Sequence, residues 1–265
     1  MTTLPSPSPF IQAHVDGSTA WLILNRPERR NALNAEMWAA IPPVIKMLDE
    51  SPSVRVIVIR GAGVEAFAAG ADISEFGESR NDAAAAARYE QLNGQAFAAV
   101  RTCAKPVIAM IHGFCIGGGL ALALAADLRI AHSGALFALP PAKLGLAYPI
   151  DGIRDLVATV GAAAAKEMIF TARRLSAEDA LRLRLVSRVA ADLEAETAAL
   201  CAEIAAGAPL TITHAKRAID LIAGRPGHVD EAEVSALAAR CFDSADYAEG
   251  RAAFLEKRKP VFRGS

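Results

Sequence analysis

A chain of 265 residues, 53% of them hydrophobic, is long enough to bury one large core, so one domain, or one domain with a tail, is expected. Its 28 Lys and Arg balance 29 Asp and Glu to a net charge of −1, which excludes a global basic field for nucleic acid or an anionic membrane and leaves any anionic ligand to be met locally. The longest apolar stretches, Gly117–Ala126 and Ala162–Ala165 among them, are broken well before the roughly 20 residues that a bilayer span needs, and a soluble protein is expected.

In chain order, Met1–Pro9 carries Thr, Ser and Pro without a basic segment leading into an apolar one, so residues 1–12 are expected to be a flexible start and not a signal peptide. Strand-like and helix-like segments then alternate over residues 13–190, the pattern of an α/β domain with a largely buried sheet. Ala20–Leu24, Val54–Ile59, Val107–Ile111 and Leu128–Ala131 are short β-branched or apolar runs that read as buried strands. Asn34–Glu50 and Asp82–Thr102 have the length and composition of helices, although Pro42 and Pro43 remove two N–H donors from the first and predict a break or sharp kink after Ala40. Beyond Val189 the strand signals stop. Leu193–Ala206, Leu210–Ala223, Asp230–Phe242 and Tyr247–Glu256 read as helices, and a helical region over 191–265 has to bury its apolar faces on the main domain or on another subunit. Cys103, Cys115, Cys201 and Cys241 form no CxxC pair; they read as buried thiols of a reducing cytosol, with no metal site and no disulfide framework.

Two segments carry chemistry. In His112-Gly113-Phe114-Cys115-Ile116-Gly117-Gly118-Gly119-Leu120-Ala121, three glycines precede an Ala/Leu-rich helix, so the backbone can turn sharply and present N–H groups to an anion or oxyanion. The spacing matches neither a dinucleotide fingerprint nor a Walker A loop, and tight helix packing is the competing explanation for the glycines. Ala66-Phe67-Ala68-Ala69-Gly70-Ala71-Asp72-Ile73 also lies just past a strand end, and two such loops can bring two N–H donors onto one oxygen.

Together with Asn25-Arg26-Pro27-Glu28-Arg29-Arg30-Asn31-Ala32-Leu33-Asn34 and Asp127-Leu128-Arg129-Ile130-Ala131, these segments resemble the enoyl-CoA hydratase/isomerase (crotonase) superfamily, from about Val15 to Phe262. The resemblance implies an α/β spiral of repeated ββα turns with a helical C-terminal region, assembled as trimers or pairs of trimers. It implies an acyl-CoA thioester as substrate, with coenzyme A carried by the substrate and no separate cofactor. The thioester oxygen would be held by the N–H groups of Ala71 and Gly118. Arg26, Arg29 and Ala68 would lie near the CoA nucleotide, with Phe254 and Lys257 arriving from a neighbouring subunit. Ala69, Asp72, Ile73, Gly117, Pro140 and Leu144 would belong to the substrate-binding surface.

The same resemblance marks a departure. Family hydratases place two glutamates to activate water and protonate the α-carbon; the corresponding positions are Ala121 and Pro141, neither of which transfers protons. Phe137-Ala138-Leu139-Pro140-Pro141-Ala142-Lys143-Leu144-Gly145-Leu146-Ala147-Tyr148, and the tail from Asp243 to Pro260, are similar to methylmalonyl-CoA decarboxylases, which have a histidine at the position of Ala71 and a glutamate at that of Ala121. Tyr148 would then face the substrate. Asp151, ahead of a helix expected to begin near Ile153, is a candidate base or an N-cap. Asp72 and His112 are read more readily as backbone-bonding or packed residues than as proton carriers, and Cys115 as a buried thiol. The expectation is an acyl-CoA enzyme that stabilises a thioester enolate, with decarboxylation or double-bond isomerisation as alternatives, and a non-catalytic acyl-CoA carrier as the reading of another class.

Overall fold

Two sheets wind around a shared core in a computed structural model that describes residues 1–75, 83–145, 147–225, 227 and 230–265, the side chains of 73, 83, 85 and 86 excepted. In chain order the strands and helices are β1 (Thr2–Leu4), β2 (Ile11–Asp16), β3 (Thr19–Leu24), α1 (Ala35–Glu50), β4 (Val56–Gly61), β5 (Ala66–Ala68), α2 (Ala83–Thr102), β6 (Val107–Ile111), β7 (Phe114–Ile116) and α3 (Gly118–Ala125). They continue with β8 (Leu128–His132), β9 (Leu136–Ala138), α4 (Pro141–Leu144), α5 (Ile150–Thr171), β10 (Leu175–Ser176), α6 (Ala177–Arg182) and β11 (Arg188–Ala190). Four helices close the chain: α7 (Leu193–Ala205), α8 (Pro209–Ile222), α9 (Glu231–Phe242) and α10 (Ala245–Glu256). Asp82, expected to open the second helix, lies outside the described residues.

The larger sheet has the order β1-β2-β3-β4-β6-β8-β11 and the smaller β10-β9-β7-β5. The units β4-β5-α2 and β6-β7-α3 each send one strand to each sheet before a helix, so the mixed α/β fold is a spiral of ββα turns. Strands β4, β6 and β8 pair in parallel, and β4 and β6 bury apolar side chains on both faces. Ile57, Ile59, Ala109 and Ile111 join the main core, whereas Val56, Val58, Ile108 and Met110 meet Leu193, Leu200 and Cys201 of α7.

Three sequence expectations are corrected. The N-terminus is a strand: Thr2 pairs with Val15 and Leu4 with Ala13, Ser8 Oγ donates to Glu36 Oε1 at 2.6 Å, and Ile11 is fully buried. The first helix does not break at its prolines. Met37, Trp38, Ile41, Val44, Ile45 and Leu48 bury one continuous stripe, while exposed Pro43 and half-buried Pro42 fall beside it, so the lost i→i−4 bonds lie toward solvent. The helix expected near Ile153 starts at Ile150, which puts Asp151 inside the first turn and not at its cap.

A buried charge network fixes the helices around the smaller sheet. Arg101 of α2 makes a forked contact to Asp155 of α5, with Nη2 to Oδ2 at 2.7 Å. Arg225, just past α8, reaches Asp155 and Asp220 at 3.3 Å and donates to the carbonyls of Leu124 and Ala125 at the end of α3. Lys216 of α8 bonds Asp127 at 2.8 Å, and Arg129 donates to the carbonyls of Leu185 and Ala126. Each charge is met by an opposite charge or by carbonyls, the condition for burying it at tolerable cost.

Candidate active site

The site begins where β5 and β7, parallel neighbours in the smaller sheet, both end. After β5 the chain turns through Gly70 at φ 116°, and Leu33 clasps the turn from outside: its N–H donates to the Gly70 carbonyl and its carbonyl accepts from Asp72 N–H, each at 2.8 Å. After β7, Gly117 takes φ 53° and ψ −118°, a conformation closed to side chains, and donates to the Ala138 carbonyl at 2.9 Å. These bonds leave the N–H groups of Ala71 and Gly118 without a protein acceptor among the described residues. A methyl built on Gly118 would come 3.4 Å from Ala71 N and 3.2 Å from the Trp38 ring, so the two donors border one small space beside the indole. The glycine triplet thus serves two demands, since Gly119 has no room for a side chain against Ala68, 2.6 Å away, and is a packing glycine.

That space opens into a cavity. Ala69, Gly70 and Ala71 form one wall and Ile116, Gly117, Gly118 and Ala121 another. Asn93 and Phe97 of α2 line it as well, and Pro140, Pro141, Leu144, Ala147, Tyr148 and Pro149 complete it. Among the described lining residues there is no carboxylate, histidine, cysteine, lysine or arginine; Tyr148 is the one side chain that titrates. Its hydroxyl donates to the Gly117 carbonyl at 3.5 Å, and its ring fits only because residue 152 is glycine, where a methyl would come within 2.7 Å. Burial, reinforced by the charge of Asp155, pushes the phenol above its ordinary range, so it keeps its proton. The Trp38 indole is held by its Nε1–H on the Tyr89 hydroxyl at 3.0 Å and edge-on against Phe97.

Of the residues singled out from sequence, Ala69, Ala71, Gly117, Gly118, Pro140, Leu144 and Tyr148 line the cavity; so do Ala121 and Pro141. Others lie elsewhere. Arg26 is held by Asp72 Oδ2 and the Ala32 carbonyl, both at 2.9 Å. Burial raises the Asp72 carboxyl, but bonds from Ser74 and Arg26 outweigh it and leave the group below its usual range. Ala68 is fully buried, while Arg29 is exposed with no ion-pair partner among the described residues. The side chain of Ile73 lies outside the described atoms. The Asp151 carboxylate is not among the described lining residues and meets Arg154 at 3.4 Å, so the structure does not bring it to the site. Phe254 is 83% exposed and borders a separate apolar cleft with Phe242, Tyr247 and Phe262; Lys257 is exposed at the end of α10. His112 pairs with Glu194 at 3.1 Å and stacks on His132, and Cys115 is wholly buried.

Sequence reading missed Asn93 and Phe97. The signal was a buried row at helical spacing, Tyr89, Asn93 and Phe97, with an amide between two aromatics.

The family model described as enoyl-CoA hydratase/isomerase matches residues 15–265. The short-chain-enoyl-CoA hydratase of Clostridium acetobutylicum is 34% identical over 248 residues, spanning 92% of this chain and 94% of that one. The (E)-benzylidenesuccinyl-CoA hydratase of Thauera aromatica is 35% identical over 260 residues, 96% and 99% of the two chains. A crystal structure of an enoyl-CoA hydratase/carnithine racemase from Magnetospirillum magneticum superposes with a TM-score of 0.92 at 39% identity, covering 98% of this chain and 97% of that one.

Proposed function

Because the chain belongs to the enoyl-CoA hydratase/isomerase (crotonase) family, we propose that it binds an acyl-CoA thioester with the carbonyl oxygen between the N–H groups of Ala71 and Gly118 and stabilises the enolate formed there. The observation that carries this is the pairing of two unengaged backbone donors, beside one small space, with a lining that holds no carboxylate among its described residues. Preorganised donors in a dry site stabilise developing negative charge strongly, and loss of one costs about a hundredfold to a thousandfold in rate.

Hydration needs a base for water and an acid for the α-carbon. Ala121 and Pro141, which line the cavity at the positions where the family's glutamates are expected, supply neither. Decarboxylation asks less: the bond from the α-carbon to the leaving carboxylate breaks, its electron pair becomes the enolate, carbon dioxide departs, and the α-carbon takes a proton from water. An apolar lining favours it by desolvating the carboxylate. Isomerisation of a double bond is the alternative, with Tyr148 as its side-chain candidate; holding its proton firmly, the phenol is a weak acid and, staying protonated, offers no phenolate as a base. The lack of acid–base pairs also favours a second reading, a non-catalytic carrier that binds CoA esters and converts none.

Exposed Arg29 is proposed to meet the phosphates of CoA, a role for which Arg26 is already engaged. Phe254 and Lys257 would reach a neighbouring subunit's nucleotide in a trimer or pair of trimers. A cytosolic location, supported by four free cysteines, belongs to the same proposal, as does the absence of any cofactor beyond the CoA of the substrate. The test is Gly118→Ala, which places a methyl between the two donors. Turnover should fall about a hundredfold or more with melting temperature little changed; equal turnover in both proteins would remove the oxyanion site from the account.

A further inference from the structure

Among its described lining residues the cavity contains one polar side chain that the enolate chemistry does not use. Asn93 is 5% exposed, its Oδ1 is buried without a hydrogen-bond partner among the described residues, and it lines the same space as Ala71, Gly118 and Tyr148. A buried amide oxygen left unpaired is costly, of order 1–3 kcal/mol, and leucine would fill the place without that penalty. Its neighbours do not relieve it: Phe97 is apolar, and the Tyr148 hydroxyl is directed to the Gly117 carbonyl. The amide stands ready for a polar group that arrives with the ligand.

We infer that Asn93 selects acyl chains bearing a hydroxyl away from the thioester, pairing with that hydroxyl inside an otherwise apolar pocket; this rests on the acyl-CoA reading above. A hydroxyl both donates and accepts, so it satisfies the amide whichever of its two ends faces the pocket. A carboxylate is less well matched, because no lysine or arginine lines the cavity among its described residues to neutralise it. A site that hydrogen-bonds a substrate hydroxyl rejects the plain analogue far better than an apolar pocket rejects an extra methylene.

The experiment measures binding of butyryl-CoA, 4-hydroxybutyryl-CoA and succinyl-CoA to the full-length protein and to Asn93→Leu, with a thermal melt of each. Wild type is expected to prefer the hydroxylated ester by about tenfold to a hundredfold, and Asn93→Leu to lose or reverse that preference while melting no lower. Equal affinity of wild type for the hydroxylated and plain esters would overturn the role of Asn93 and leave the acyl-CoA reading intact. A preference for succinyl-CoA that vanishes in the variant would overturn the choice of a hydroxyl. A lower melting temperature with unchanged preference would make Asn93 structural. Failure of every ester to bind would overturn the acyl-CoA reading itself, and this one with it.

Discussion

At the scale of single residues, the site depends on atoms that substitution by side chain leaves in place, because Ala71 and Gly118 contribute backbone N–H groups. Tyr148 is the only titrating side chain among the described lining residues, and burial keeps it protonated well above neutrality. Turnover is therefore predicted to be flat between about pH 6 and about pH 9, where a site using a carboxylate and its conjugate acid gives a bell; a pH–rate profile with an inflection in that range would reveal a proton carrier elsewhere. Asp151→Asn should leave turnover within about twofold, since its carboxylate points to Arg154 and solvent, whereas a change of the size seen on losing a general base, about a hundredfold or more, would place it in the chemistry after all. What sequence disclosed at this scale was the glycine turns and the apolar residues at positions 121 and 141. The division of labour within the glycine triplet was not legible, because Gly119 of α3 packs against Ala68 of β5 and only the fold brings them together.

At the scale of elements, the site is held by clasps between segments distant in sequence. The buried Arg101–Asp155–Arg225 group ties α2, α5 and the end of α8 together beside the cavity. Asp155→Ala leaves buried Arg101 without its carboxylate while Arg225 keeps Asp220, and the predicted loss is about 3–5 kcal/mol, measurable by urea unfolding. A loss under about 1 kcal/mol would show that water satisfies Arg101 instead. The Arg26–Asp72 clasp has a pH signature. The Asp72 carboxyl lies below its ordinary 3.8 when folded, so its contribution is present above that value and lost as pH falls through the folded one. Asp72→Asn should flatten the decline in stability with acidification below about pH 4, seen in melts across pH; an unchanged slope would assign acid lability to other carboxylates. Long elements were legible: the helix expected over Asn34–Glu50 is α1, Ala35–Glu50, with Asn34 as its cap, its Oδ1 accepting from Met37 N–H at 2.9 Å. Short β5, β7, β9 and β10 were not, since two or three residues carry no periodicity. Nor was continuity through Pro42 and Pro43, which depends on a buried stripe that tertiary packing creates.

For the whole molecule, the last four helices leave large apolar side chains in solvent: Ile222, Phe242, Phe254 and Leu255 are each at least 66% exposed. Such surface is expected to be covered by other copies of the chain. The account predicts a trimer or hexamer by light scattering, dissociated by Phe254→Asp with loss of CoA affinity; a stable wild-type monomer would contradict it. The α/β character and the strand-free final region were legible from the change of pattern after Val189, because both rest on repeated local signals, whereas the ββα spiral came from the family resemblance and not from the pattern. The buried amide of Asn93 was hidden because its meaning lies in the partner it lacks.

The central claim is that the two donors act on a thioester without a carboxylate pair. Its most direct test is to incubate the protein with crotonyl-CoA, a 3-enoyl-CoA and methylmalonyl-CoA and to identify each product by mass. The account predicts decarboxylated or isomerised thioester and no hydrated crotonyl-CoA. Robust hydration of crotonyl-CoA would contradict it and require an acid and a base that the described lining of the cavity does not contain.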